Sequence, residues 1–365
     1  MNRYNRHIIL PEIGQTGQDK INNAKVLVIG AGGLGCPILQ YLAAAGVGSL
    51  GIIDFDVVEA SNLQRQVLFG NSTLGQNKAM AAKQRLEDLN PEISISAYAE
   101  QLTYQNAIEL FEKYDVVVDG SDNFETRYLV NDACVITNTP LVFGAIFKFE
   151  GQVSVFNYNN GPSYRCLFPS APEKGSVPNC SEIGVLGVLP GIIGTMQANE
   201  ALKIILGIGT TLSGKLLCYN ALTAQSHILK ISKSENEISK VLNEKHLFSQ
   251  KEMEANCAIP NAAISIENIL KKENIQLIDV REPHELPKVE DLEVTYIPLS
   301  QLKNNLEKID SKKEKFIFCQ SGIRSKKAVS FLFELGFSNC SSIKEGAPEI
   351  NNYLETQQKA TTDVR

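Results

Sequence analysis

No stretch of this chain stays apolar long enough to cross a membrane. The oiliest run, residues 183–196, is broken by glycine and proline, and the opening MNRYNRHIILPEIG has no apolar segment of signal-peptide length. A basic excess is missing as well. The net charge is −6 and the pI ≈ 5.5, which argues against a protein built to grip nucleic acid while leaving local cations for phosphates open. There is no C-x-x-C pair, no internal repeat and no low-complexity tract, and His7, His227, His246 and His284 lack ligand spacing. The cysteines at 36, 134, 166, 180, 218, 257, 319 and 340 are too scattered for a disulfide framework. These absences predict a soluble, cytoplasmic protein with reduced thiols that neither spans a membrane nor binds nucleic acid.

What is present suits two packed domains: 365 residues, of which 43% are hydrophobic and 21% charged. Residues 25–30 (KVLVIG) read as a buried parallel strand and 34–45 as an Ala-rich helix. Strands follow at 50–54, 93–98 and 115–119, with helices at 76–89 and 123–137. This rhythm predicts an α/β fold with a Rossmann-like doubly wound sheet. Beyond Gly151 come strand-like pieces, a helix near 192–206 and strands at 215–219 and 226–231. The first domain is expected over 1–231, a polar linker, partly helical, over 232–257, a smaller α/β domain over 258–355 and a flexible tail over 356–365. Strands of the second domain are expected at 276–279 and 315–319.

Gly30-Ala31-Gly32-Gly33-Leu34-Gly35 fits G-x-G-x-x-G where a strand meets a helix. Glycines there let backbone approach a phosphate, and the helix N-terminus supplies N–H groups and positive potential. Asp54, ending the second strand, stands where an acid accepts from ribose hydroxyls. A dinucleotide oxidoreductase would show as much. Past the second strand come Ser61, Asn62, Leu63, Gln64 and Arg65; Lys78 opens the next helix, and Asp122 and Asn123 follow the fourth strand. Taken singly, a helical lysine is solvated surface and an aspartate in Gly-Ser-Asp-Asn is a turn or cap. As an ordered set at one sheet edge, two cations and an acid suit a triphosphate and its Mg²⁺ better than a nicotinamide.

Tyr4-Asn5-Arg6, the GAGGLG turn, Asp54-Phe55-Asp56, Ser61–Gln66 (SNLQRQ), Gly75–Lys78 (GQNK) and Asp119–Asn123 (DGSDN) together resemble the MoeB/ThiF family of adenylyltransferases, bacterial relatives of ubiquitin-activating enzymes. The resemblance runs to about residue 231. It implies ATP as substrate: Gly33 in the turn, Asp54 on ribose, Ser61–Arg65 and Lys78 on phosphates, Asp122 on Mg²⁺. Arg6 matches a phosphate-contacting arginine, and Arg65 one that reaches in from a partner subunit, so a homodimer is implied. The reaction implied is attack by the C-terminal carboxylate of a Gly-Gly-terminated, ubiquitin-like sulfur carrier on the α-phosphate. The motifs stand closest to MoeB, putting a molybdopterin-type carrier ahead of a thiamin-type one. Many members hold zinc with two C-x-x-C pairs; here the first would need cysteine at Ser163 and the second, near Lys230, is missing, so no zinc is expected. Cys180 matches a cysteine that some relatives link covalently to the carrier; the other reading is a dispensable loop thiol. Cys36, Cys134 and Cys218 are expected in the core.

Further on, a strand ends in Cys319, followed by Gln320, Ser321, Gly322, Ile323 and Arg324 and a helix. Backbone N–H groups, the helix N-terminus and Arg324 would stabilise a thiolate or persulfide there. Cys-x-x-Gly-x-Arg, with Asp279-Val280-Arg281-Glu282 upstream, resembles a rhodanese domain over roughly 260–350, though a phosphatase loop shares the first string. Two departures stand out: 294–299 reads VTYIPL in place of a Gly-His-Ile-Pro-Gly-Ala segment, and 344–348 reads KEGAP. An active domain would take sulfur from an upstream persulfide donor; the alternative is a decayed fold kept for docking. At the level of the whole chain, the rivals are a nicotinamide-dependent oxidoreductase and a non-catalytic carrier-binding scaffold.

Overall fold

The computed structural model describes residues 3–172, 184–251, 264–289, 291–320, 322–335, 337 and 339–362, the side chains of 323, 330, 334 and 357–362 aside. Two compact units divide between Met253 and Glu254.

In the first, β1 (Lys25–Ile29), β2 (Ser49–Ile53), β3 (Ser94–Tyr98), β4 (Val116–Asp119) and β5 (Leu141–Phe147) form the parallel part of an eight-stranded sheet. Its order is β3-β2-β1-β4-β5, extended antiparallel by β6 (Glu150–Phe156), β7 (Lys215–Asn220) and β8 (Gln225–Lys230). Alternate residues of β1 serve opposite cores. Val26 and Val28 pack with α1 (Gly35–Ala45), α2 (Lys78–Leu89) and α4 (Val188–Leu206), while Leu27 and Ile29 pack with α3 (Phe124–Thr137). A strand buried on both faces needs a run without polar alternation, and KVLVI supplies it. Asn77 caps α2 and Asn123 caps α3, each accepting from a backbone N–H three residues on, at 3.1 and 2.8 Å.

Of the stretch expected as a linker, 232–257, the described part, to residue 251, folds onto this unit. Helix α5 (Glu235–Asn243) buries Val241, and Phe248 is 2% exposed, its ring edge-on to Tyr104 at 5.0 Å between centroids. The polar composition that suggested a linker belongs to the outer face of an amphipathic helix.

The second unit is a four-stranded parallel sheet in the order β10-β9-β11-β12, with β9 (Ile275–Asp279), β10 (Val294–Tyr296), β11 (Glu314–Phe318) and β12 (Cys340–Ser342). Helix α6 (Ile323–Glu334) follows β11, and α7 (Ala347–Thr362) closes the chain's described part, so a helix stands where a flexible tail from 356 was expected. Ile350 and Leu354 anchor its first turns in the core. Strands β10 and β12, of three residues each, escaped the sequence reading because they are too short to show a period. No helix among the described residues is long and apolar enough to cross a membrane.

Candidate active site

In the strand order 3-2-1-4-5 the chain leaves β1 to one side and β4 to the other, which opens a crevice beyond their carboxyl ends. The Gly-rich turn lies there. Gly30 has φ +85°, a left-handed conformation that glycine adopts freely, and its N–H donates to Ile53 O at 2.9 Å. At Gly35 a Cβ would lie 2.0 Å from Gly30 O, so only glycine lets α1 start this close to the strand. A side chain at Gly33 would meet Pro190 at 3.1 Å and the stem of Arg65 at 3.6 Å, whereas at Gly32 it would find only Gln66, at 3.8 Å. The turn is a cradle of bare backbone.

Asp54 braces it from just past the end of β2. Its Oδ2 accepts from Ala31 N at 2.8 Å and its Oδ1 from Asp56 N at 2.9 Å. Burial pushes its pKa up, opposed by the Ala31 amide and by Lys78. Two amide bonds leave lone pairs on both oxygens for ribose hydroxyls.

Lys78 is 7% exposed and its Nζ meets Asp56 Oδ2 at 2.8 Å. Asn77 ties the pair to the strand end, donating from Nδ2 to Asp54 O at 2.9 Å and Asp56 O at 3.1 Å. Arg65 donates from Nη1 to Ser61 O at 3.1 Å. The resemblance has Arg65 reaching in from a partner subunit; within this chain it lies against its own turn. Asn62 and Gln66 are buried, and Ser61 and Gln64 exposed. Arg6 sits exposed on the short helix Asn5–Ile8, and among the described residues none of the hydrogen bonds at the turn comes from it.

Across the crevice, Asp119 ends β4 fully buried and accepts from Ser121 N at 2.9 Å. Burial raises its pKa, opposed by Arg127. Asp122, three residues on, is exposed and enters no ion pair among the described residues. Asn123 caps the following helix, a structural duty beside its place in the motif. Sequence reasoning missed Asp56, Asn77, Arg127 and Gln197. Arg127 is 9% exposed, lies 5.6 Å over both Phe124 and Phe143, and donates to Ser121 O at 3.4 Å. Gln197 reaches from α4 to donate to Asp119 O at 2.7 Å. Asp56 and Asn77 lay inside quoted motifs; Gln197, 78 residues from Asp119, gives no local signal. Buried Arg127 Nε, Gln197 Oε1 and Gln66 Oε1 have no hydrogen-bond partner among the described residues. Unpaired polar atoms cost free energy in a finished core, and their gathering at this edge fits a polar ligand. A lone exposed carboxylate, with cations opposite, suits a hydrated Mg²⁺ shared with phosphates.

At the place where relatives have their first C-x-x-C, Cys166 Sγ accepts from Ser163 N at 3.3 Å and from Ser234 N at 3.3 Å. Hydrogen bonds thus close the two segments on each other, and among the described residues no group of three or more His, Cys, Asp or Glu side chains could hold a metal. Cys36 and Cys134 are buried, their thiols pushed up by burial, the first to about 12; Cys218 is half-buried on β7. Cys180 and Cys257 lie outside the described residues.

In the second unit Cys319 follows β11, 1% exposed, with its Sγ 3.7 Å from Ser325 Oγ. Ser325 in turn bonds Ser342 Oγ at 2.8 Å and Gly322 O at 3.1 Å. Gly322, φ +80°, turns the loop into α6, and a Cβ at Gly346 would lie 2.1 Å from Gln320 O. Asp279 and Arg281 form a wholly buried pair, Nη2 to Oδ2 at 2.8 Å, and Arg281 Nη1 reaches Gln320 Oε1 at 3.2 Å. The Asp-Val-Arg string therefore fastens β9 to the thiol loop. Ser321 lies outside the described residues.

Residues 4–240 match the ThiF family and residues 263–353 the rhodanese-like domain. A sulfur carrier protein adenylyltransferase of Thermus thermophilus is 52% identical over 239 residues, 64% of this chain and 88% of that protein. A probable adenylyltransferase/sulfurtransferase MoeZ of Mycobacterium tuberculosis is 40% identical over 357 residues, 94% of this chain and 91% of that one. Among solved structures, E. coli MccB with ATP superposes with a TM-score of 0.57 at 26% identity, covering 64% of this chain and 72% of MccB.

Proposed function

Since the chain belongs to the ThiF family, with a rhodanese-like domain behind it, we propose that it adenylates the C-terminal glycine of a ubiquitin-like sulfur carrier with ATP and then supplies the sulfur. The observation that carries this reading is the crevice itself: a bare glycine cradle, Asp54 and the Asp56–Lys78 pair on one side and exposed Asp122 across from them. That set has a use for every charge if the ligand is a triphosphate, and none for Lys78 and Asp122 if it is a nicotinamide.

A carboxylate is a poor acyl donor because oxide is a hopeless leaving group. Its oxygen attacks the α-phosphorus, the bond to the β-phosphate oxygen breaks, and pyrophosphate leaves. No side-chain nucleophile is needed, so catalysis is positioning and charge stabilisation. Lys78, Arg6 and Arg65, the last reaching in from a partner subunit as the resemblance implies, neutralise charge gathering on the pyrophosphate. Mg²⁺, when bound through Asp122 and the phosphates, would offset the same charge. In the second unit Cys319 takes up sulfane sulfur from a persulfide donor. The persulfide's terminal sulfur attacks the acyl carbon and AMP leaves; an external thiol then attacks Cys319 Sγ of the acyl disulfide, forming a disulfide with Cys319 as the S–S bond breaks and the thiocarboxylate departs. The fusion raises the effective concentration of this donor near the adenylate. The proposal takes the protein as a homodimer without structural zinc, serving a molybdopterin-type carrier before a thiamin-type one; Cys180 is held in reserve as a covalent link.

Intact mass of a Gly-Gly-terminated carrier, incubated with protein, ATP–Mg²⁺ and a persulfide supply, tests this. One oxygen replaced by sulfur is expected, and none with Cys319→Ala. Thiocarboxylate formed equally by Cys319→Ala would remove the second unit from the reaction.

A further inference from the structure

The thiol loop of the second unit is served by two guanidinium groups, and each is matched by a carboxylate. Arg281 is buried with its fork closed on Asp279, Nε to Oδ1 at 3.0 Å and Nη2 to Oδ2 at 2.8 Å, and its remaining bonds go to Gln320 Oε1 and Pro287 O. Arg324, the last residue of the Cys-x-x-Gly-x-Arg loop, meets Glu285 prong to prong, Nη1 to Oε1 at 2.5 Å and Nη2 to Oε2 at 2.7 Å. Glu285 is itself oriented by the amide of Glu282, at 2.8 Å. Planar two-bond pairs of this kind fix both groups and spend the cation's charge. Lys326 and Lys327 stand exposed on α6 beyond the loop.

We propose that Glu285 selects the sulfur donor: by holding Arg324 it denies the loop an uncompensated cation, turning away free dianions such as thiosulfate and reserving Cys319 for sulfane sulfur carried on a protein cysteine. This rests on the sulfur-transfer reading above. Thiosulfate brings two negative charges and must find its countercharge inside the loop. A protein persulfide brings at most one charge at its terminal sulfur and docks through its own surface. Both transfers balance without an outside oxidant. The Cys319 thiolate attacks the outer sulfur, a new S–S bond forms and the old one breaks, and the pair of electrons leaves on sulfite in one case or on the donor's thiolate in the other. Glu285 touches neither sulfur; it acts through Arg324, as a positioning residue that sets specificity.

The full chain, its Glu285→Gln variant and a Glu285→Gln/Arg324→Met double variant are assayed for sulfur transfer to cyanide from thiosulfate, and from a cysteine desulfurase charged with L-cysteine. Freeing Arg324 should lower KM for thiosulfate on the order of tenfold with a smaller change in kcat, the double variant should lose that gain, and desulfurase-driven turnover of Glu285→Gln should stay within about twofold. Unchanged thiosulfate kinetics in Glu285→Gln, with desulfurase-driven turnover intact, would overturn the proposal alone. No transfer from either donor in any form would overturn the sulfur-transfer reading and the proposal with it. A third measurement does not depend on the variants folding. Mass spectrometry of the unaltered protein should find Cys319 persulfidated by the desulfurase and not by millimolar thiosulfate; full persulfidation by thiosulfate refutes the selection.

Discussion

The ammonium of Lys78 is buried against Asp56, with Asn77 stitching both to the strand end. Such a cation is already oriented before a nucleotide arrives, which is where electrostatic catalysis gains most. Lys78→Met should lower kcat/KM for carrier-dependent pyrophosphate exchange by about 10²–10³-fold, the loss typical of one preorganised donor. Asp56→Asn leaves the charge and removes its anchor, so the expected effect is a smaller one, mostly on KM for ATP. Sequence motifs exposed Asp56 without its purpose, because a pairing partner 22 residues away is visible only once β2 and α2 are side by side. Glu285 allows a pH test at the same scale. The hydrogen bonds from Arg324 hold its carboxyl down to about 2 from an ordinary 4.5. A depressed pKa means the pair stabilises the fold fully above about pH 4.5 and loses that contribution as pH falls towards 2. Acid titration of stability should therefore be shallower in Glu285→Gln over that window; an identical slope would mean the pair is too solvated to matter.

At the scale of elements, the turn into α1 is the least tolerant part of the crevice. Gly35→Ala puts a methyl 2.0 Å from a backbone oxygen, so the helix must back away from β1. Overpacking of this kind costs about 1–3 kcal/mol, and here it also widens the cradle, so thermal midpoint and ATP affinity should fall together. Thermal unfolding and ATP titration of the variant check this, and a loss of stability with affinity intact would separate the turn from the nucleotide. Strands β1 to β4 and helices α1 to α3 were legible to within two residues because buried runs such as KVLVI and caps at Asn77 and Asn123 are local signals, whereas α4, expected from about 192, starts at 188. The hairpin of β5 and β6 was less so. Its two strands have no turn signature beyond Lys148, at φ +55°, and a contiguous apolar stretch fixes neither period nor register.

For the whole molecule, the division of labour between two units is the claim most open to dissection. The domain edge drawn from composition, at 231, would sever α5 and the Phe248 anchor; the compact unit runs to Met253. A fragment of residues 1–253 should keep pyrophosphate exchange and lose sulfur transfer, whereas one ending at 231 should unfold at lower temperature. Metal analysis of the full chain should find less than one zinc per subunit, since Cys166 is engaged by the amides of Ser163 and Ser234. The adenylating half could be read from sequence since its motifs are contiguous strings. Gln197 and Arg127 could not, because what makes them notable is burial without a full set of partners.

Carrier-dependent ATP–pyrophosphate exchange tests the central claim most directly, with purified protein and each Gly-Gly-terminated carrier in turn. Exchange that requires one carrier, vanishes in Asp122→Ala and is indifferent to NAD(H) is the predicted result. Tight ATP–Mg²⁺ binding with no exchange for any carrier would contradict adenylation and leave a scaffold that binds nucleotide and carrier without chemistry.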